Sequence, residues 1–69
     1  MHPLRDYRQS QKMTQQALGE KLGVTGQTIW RWETGSRKVA VKLLPKISTI
    51  TGIPQRDLRP DLAELMAAE

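Results

Sequence analysis

The stretch Thr14-Gln-Gln-Ala-Leu-Gly-Glu-Lys-Leu-Gly-Val-Thr-Gly-Gln-Thr-Ile-Trp-Arg-Trp-Glu33 decides the fold. It reads as two short helices around a tight turn at Gly23. Thr14 suits an N-cap, because its hydroxyl oxygen can accept a backbone N–H two or three residues on. From there a helix runs to about Leu22, with Ala17, Leu18 and Leu22 as its apolar stripe. Gly23 fits the left-handed position that ends many helices. Val24 plugs the turn, and Thr25 caps a next helix from about Gly26 to Thr34, stopped by Gly35.

Successive helical residues turn by about 100°. On that wheel Thr25, Ile29 and Trp32 share one side of the second helix. Gly26, Gln27, Trp30, Arg31 and Thr34 share the other, with Thr28 and Glu33 at the borders. The first set is expected to pack inward against Ala17, Leu18 and Leu22, with the small Ala17 letting the helices cross closely. The second set is expected to face outward. Its residue types suit direct readout in a DNA major groove. Gln can pair with adenine, Arg with guanine, and Thr or an apolar edge with the thymine methyl. A solvated amphipathic hairpin would share the pattern. The turn glycine, two threonine caps and small inward Ala at this spacing favour DNA.

Outward from this stretch, Pro3 can open a first helix. Leu4, Tyr7 and Gln11 share a face there, and Met13 plugs the passage to the next helix. Ser36-Arg37-Lys38 reads as a short basic loop. Ala40, Leu43, Leu44, Ile47, Ile50 and Thr51 share a helical face, which predicts a helix from about Ala40 to Thr51, stopped by Gly52. Pro45 removes a hydrogen bond but is tolerated near a first turn. The alternation Val39, Val41, Leu43 and the β-branched run Ile47 to Thr51 also permit a strand. Ile53 to Leu58 reads as a short helix with Pro54 at its first position, its Ile53 and Leu58 closing the core. Asp61 to Met66 can form one turn or two more, and Glu69 is expected to fray.

Sixty-nine residues make one domain, residues 1–69, with a core over 3–58 and a tail over 59–69. The chain has no cysteine and one histidine, so disulfides, thiol chemistry and a zinc site are not expected. No cofactor is expected. Eleven Lys and Arg against seven acidic residues give a net charge of +4. That basic balance is consistent with a polyanionic partner. No apolar run approaches a membrane span and the N-terminus lacks a signal-peptide core, so the reading is cytoplasmic. No nucleophile–base set, phosphate-binding glycine loop or metal-spaced carboxylate cluster is visible. An enzyme is not expected.

Residues 4–58 resemble the helix-turn-helix domain of the lambdoid phage Cro and repressor proteins, within the Xre-type regulators. The resemblance rests on Thr14-Gln15, Ala17-Leu18, Leu22-Gly23-Val24-Thr25, Ile29 and Trp32-Glu33-x-Gly35. The tail, Thr51-Gly52-Ile53 through Leu58-Arg59-Pro60-Asp61-Leu62, is similar to small Cro-like and YdaS-type prophage regulators. The resemblance implies an all-α, compact five-helix, lambda-repressor-like domain, although some Cro proteins are β over the segment matching 39–58. It implies a Cro-like repressor of transcription acting as a homodimer, weak or formed on DNA, on a palindromic double-stranded operator. Gln27, Thr28, Trp30 and Arg31 fall at base-contacting positions. Gln15, Thr25, Arg37 and Lys38 fall at backbone-contacting ones. Arg8 and Glu33 match a structural ion pair between the first and third helices.

Two positions depart from the family. Gly26 replaces the long polar side chain common in relatives, which removes one reader and lets the backbone approach closely. Trp30 stands where small polar residues are common. The alternative is a protein-interaction module of antitoxin type, with Trp30 and the apolar tail Leu62, Leu65 and Met66 as its contacts.

Overall fold

The structure, a computed structural model, describes residues 2–67. Glu69 and the side chain of Met66 lie outside the described residues. Six α-helices follow one another: α1 Pro3–Ser10, α2 Gln15–Leu22, α3 Gly26–Thr34, α4 Leu44–Thr51, α5 Gln55–Leu58 and α6 Pro60–Ala67. A 3₁₀ turn, Val41–Leu43, leads into α4. The fold is all-α, with one helix more than expected because the tail forms α6. No strand is present among the described residues, so the β alternative for 39–58 falls away.

Local chemistry accounts for the boundaries of α2 and α3. Thr14 Oγ1 accepts from Ala17 N at 3.0 Å, and Thr25 Oγ1 accepts from Thr28 N at 3.1 Å. Each such cap contributes about 1 kcal/mol. Gly23 ends α2 in the left-handed region at φ 80°. A side chain there would strain the backbone, and this turn sets how α3 leaves α2.

The start of α4 differs from the helix expected from residue 40. Pro45 has no N–H to reach Val41 O. The N–H of Leu44 takes that oxygen instead, and Leu43 N bonds Ala40 O at 3.0 Å. The turn therefore tightens to 3₁₀ geometry, and regular helix starts only at Leu44. α1 has a cap that the sequence reading missed. His2 Nδ1 accepts from Leu4 N at 3.2 Å, just ahead of Pro3.

Leu4, Leu18, Leu22, Ile29, Trp32, Val39, Leu44, Ile47 and Leu58 form the core. Met13 and Val24, expected as plugs, and Ile53, expected to close the core, are half-buried against it. Val39 is a buried anchor from the loop rather than part of a strand. Burying a side chain of this size contributes about 1.5–3 kcal/mol. Gln11, placed on the apolar face of α1, is exposed.

The close crossing of α2 and α3 depends on Gly19, not on Ala17. A Cβ at Gly19 would lie 2.6 Å from Val24 O and 2.9 Å from Thr25 C, both backbone atoms. Ala17 is only half-buried. Gly19→Ala is expected to destabilise the domain by about 1–3 kcal/mol through overpacking. Thermal melting reads this as a fall of roughly 4–8 °C per kcal/mol. An unchanged melting temperature would mean that the turn has room to spare.

The His2 cap makes stability depend on pH. Burial lowers the His2 pKa from its ordinary 6.5, outweighing the opposing pull of Glu33 and Asp6. The unfolded chain therefore binds the proton first as the pH falls. The stabilisation is complete above pH 6.5 and is lost as the pH drops through the window below it. Protonation also turns the acceptor nitrogen into a donor facing the positive end of α1. Between about pH 7.5 and about pH 5.5 the wild-type melting temperature should fall more than that of His2→Asn, whose amide caps without titrating. Parallel pH profiles for the two proteins would refute this role.

Candidate nucleic-acid interface

α3 carries most of the site. Ile29 and Trp32 are buried, which turns Gln27 and Trp30 outward. Trp30 keeps 49% of its surface exposed, a high value for the largest side chain in a small domain. Thr28 and Arg31 are half-buried at the edges of the outward face. Thr34 Oγ1 donates to Trp30 O at 3.0 Å and to Arg31 O at 3.3 Å, holding the last turn of the helix. Thr25 Oγ1 and Thr28 Oγ1 lie 3.0 Å apart at its start. One hydroxyl of that pair donates to the other, which leaves one proton free for an acceptor outside.

A shallow hollow of about 480 Å³ joins the two helices on this side. It is lined by Gln16, Glu20, Val24, Thr25, Gly26 and Gln27. Gln16 and Glu20 were missed by the sequence reading. Their spacing of four puts them on one face of α2, but only the crossing shows that this face borders α3. Glu20 sets a negative charge beside Gln27, a poor neighbour for phosphate. A carboxylate can accept from a base amino group.

Gly26 has a different role from the one expected. It is half-buried, and a Cβ there would lie 3.0 Å from both Cα and N of Gln16. The missing side chain admits the backbone of α2, not that of an outside ligand. A Cβ at this position would need α2 to give by a few tenths of an ångström.

Gln15 is drawn inward. Its Nε2 donates to Glu33 Oε1 at 3.3 Å. Glu33 is also the partner of Arg8, whose Nε and Nη2 donate to its two carboxylate oxygens at 2.8 and 3.0 Å. Arg8 Nη1 donates further to Met13 O at 3.1 Å. The Glu33 side chain is 4% exposed and that of Arg8 16%. The hydrogen bond to Glu33 raises the pKa of Arg8 above its ordinary value, so its charge is permanent. This cluster ties α1, the α1–α2 link and the start of α2 to the end of α3.

Beyond α3, Arg37 and Lys38 are exposed, and Arg37 N donates to Arg31 O at 3.1 Å. Both side chains border a cleft of about 340 Å³ that also includes His2, Trp32, Asp57 and Asp61. Lys38 Nζ meets Asp61 Oδ2 at 3.2 Å. The structure therefore groups Thr25, Gln27, Thr28, Trp30 and Arg31 on α3 and its cap, with Arg37 and Lys38 following. Gln15 stands apart from them on the brace. No group of His, Cys, Asp and Glu able to hold a metal occurs among the described residues.

Residues 4–58 match the family described as helix-turn-helix. The chain belongs to the helix-turn-helix family. Two similar proteins are uncharacterized HTH-type transcriptional regulators, one from Sinorhizobium medicae (strain WSM419) and one from Rhizobium meliloti (strain 1021). Each is 43% identical over 42 residues, which is 61% of this chain and 30% of the relative. The aligned part thus spans under a third of those relatives. No solved structure matches the chain significantly. No helix among the described residues is long and apolar enough to cross a membrane.

Within this helix-turn-helix domain, Arg8→Ala would leave the Glu33 carboxylate buried without its cationic partner. The expected cost is about 3–5 kcal/mol by urea denaturation. Arg8→Lys should recover only part of it, because an ammonium cannot reproduce the two-pronged contact. Full recovery by lysine would show that charge alone matters.

Proposed function

We propose that this chain is a sequence-specific double-stranded DNA-binding transcriptional regulator that inserts α3 into the major groove. The observation that carries this reading is the two-sided α3. Ile29 and Trp32 anchor it in the core, while Gln27, Trp30 and Arg31 project from a braced helix pair of a helix-turn-helix protein. In this reading Gln27 and Arg31 contact base edges, with Thr28 and Trp30 against methyl groups or sugars. Thr25, Arg37 and Lys38 contact the phosphate backbone. The regulator names of the two relatives support the same role. Gln15 contributes to the backbone contacts only by releasing Glu33.

One helix reads few base pairs, so we infer a homodimer, weak or formed on DNA, over a palindromic operator. The surface of α4, α5 and α6 supports this. A groove of about 430 Å³ there is lined by Val41, Leu44, Pro45, Gln55, Arg56, Arg59, Leu62, Ala63 and Leu65. Val41 and Leu65 are 56% and 71% exposed at its edge. Such a dimer over a promoter would repress by blocking polymerase, as Cro-like proteins do. The same groove, with Trp30, favours a second reading, a protein-interaction module of antitoxin type. Binding to DNA should weaken steeply with salt, whereas apolar docking should not.

Selection from random duplexes with the purified protein tests the proposal. Enrichment of a palindrome with half-sites about one helical turn apart is the expected result. Failure to enrich any sequence would refute specific recognition. On the selected site, Arg31→Ala should lose about 1–3 kcal/mol at one base position and leave preferences elsewhere intact. An unaltered preference would remove Arg31 from the readout.

A further inference from the structure

The basic loop after α3 carries its own counter-charge. Arg59 is fixed by three hydrogen bonds: its Nη1 donates to Val39 O at 2.7 Å, while Nε and Nη2 donate to Asp61 Oδ1 and Oδ2, each at 3.0 Å. Its side chain is only 14% exposed. The Asp61 carboxylate is therefore held in one place at the start of α6. Lys38 reaches that same Oδ2 at 3.2 Å, with a side chain still 69% exposed. The hydrogen bonds from Arg59, joined by that from Lys38, keep the Asp61 carboxyl well below the usual carboxylate range.

We propose that Asp61 is a built-in competitor for the polyanion, occupying Lys38 in the free protein and limiting the affinity of the loop for phosphate. This rests on the nucleic-acid reading of the site and names a residue that restrains it. A carboxylate and a phosphate oxygen offer an ammonium the same kind of acceptor. Lys38 can leave, because its stem is flexible and exposed. Asp61 cannot follow, because Arg59 holds both of its oxygens. When Lys38 moves to phosphate, Asp61 remains next to it and repels the incoming anion. Arg37, one residue earlier, forms no ion pair among the described residues. It carries no such handicap.

The test measures binding against salt for two probes, a random-sequence duplex pool and immobilised heparin, at temperatures where every variant is folded. Asp61→Asn should bind both probes roughly twofold to fivefold more tightly, the range of an exposed ion pair. Glu64→Gln removes an equal charge from the exposed face of α6, and should change binding less. On a Lys38→Ala background the Asp61→Asn gain should vanish. A gain that survives there, or one matched by Glu64→Gln, overturns the proposal in favour of a general charge effect.

Should Asp61→Asn fail to fold, two surface variants decide instead. Lys38→Ala should weaken heparin binding clearly less than Arg37→Ala, and equal losses overturn the proposal. The two probes keep the readings apart. If no duplex is bound but the heparin results hold, the DNA reading fails and the competitor stands. If duplex is bound with no gain from Asp61→Asn, the competitor fails and the DNA reading stands.

Discussion

The close approach of α2 to α3 is the constraint on which the rest of the structure depends. Two glycines create it from opposite sides. Gly19 lies against the backbone of Val24 and Thr25, and Gly26 lies against the backbone of Gln16. A side chain at Gly19 would force one of these backbones to shift, whereas one at Gly26 would need the helices to give by a few tenths of an ångström. Because the backbones touch, the rotation of α3 has little freedom. Ile29 and Trp32 then complete the core with Leu18 and Leu22. Everything outward on α3 follows from that rotation.

A polar brace holds the arrangement from the other end. Glu33, near the end of α3, receives Arg8 from α1 and Gln15 from α2. A pair this buried orients more than it stabilises, since both charges lose their water. Its value lies in linking α1, α2 and α3 through side-chain contacts of fixed geometry. The brace also takes Gln15 away from the surface. A second cluster, centred on Arg59, does for the tail what Arg8 does for α1. It joins the start of α6 to the loop around Val39. The loop that follows the outward helix is thus positioned by the C-terminal segment.

Much of the fold was legible because its signals are local. Thr14, Gly23, Thr25 and Gly35 act through their own backbone and side-chain chemistry, and the boundaries of α2 and α3 fall where they stand. The 100° periodicity sorted Ile29 and Trp32 from Gln27 and Trp30 without any tertiary information. The reading was weaker where a local signal had two outcomes. Pro45 was read as tolerated in a helix starting at about residue 40, whereas its missing N–H delays regular helix to Leu44 behind a 3₁₀ turn. Val39 also permitted a strand, through its alternation with Val41 and Leu43, but it anchors a loop.

The sequence by itself determined which residues cap, turn and alternate, because those choices depend on neighbours within four positions. It therefore yielded the helix pair, the outward face of α3 and the residues that carry the family resemblance. Only the tertiary structure decided what each polar side chain does. Gly26 meets α2 rather than open space, Gln15 serves Glu33, and Gln16 and Glu20 border Gln27. Lys38 is held by a carboxylate 23 residues further along. These assignments depend on distances between segments far apart in the chain. No periodicity encodes such distances, because they are set when the core closes and the helices lock at one crossing.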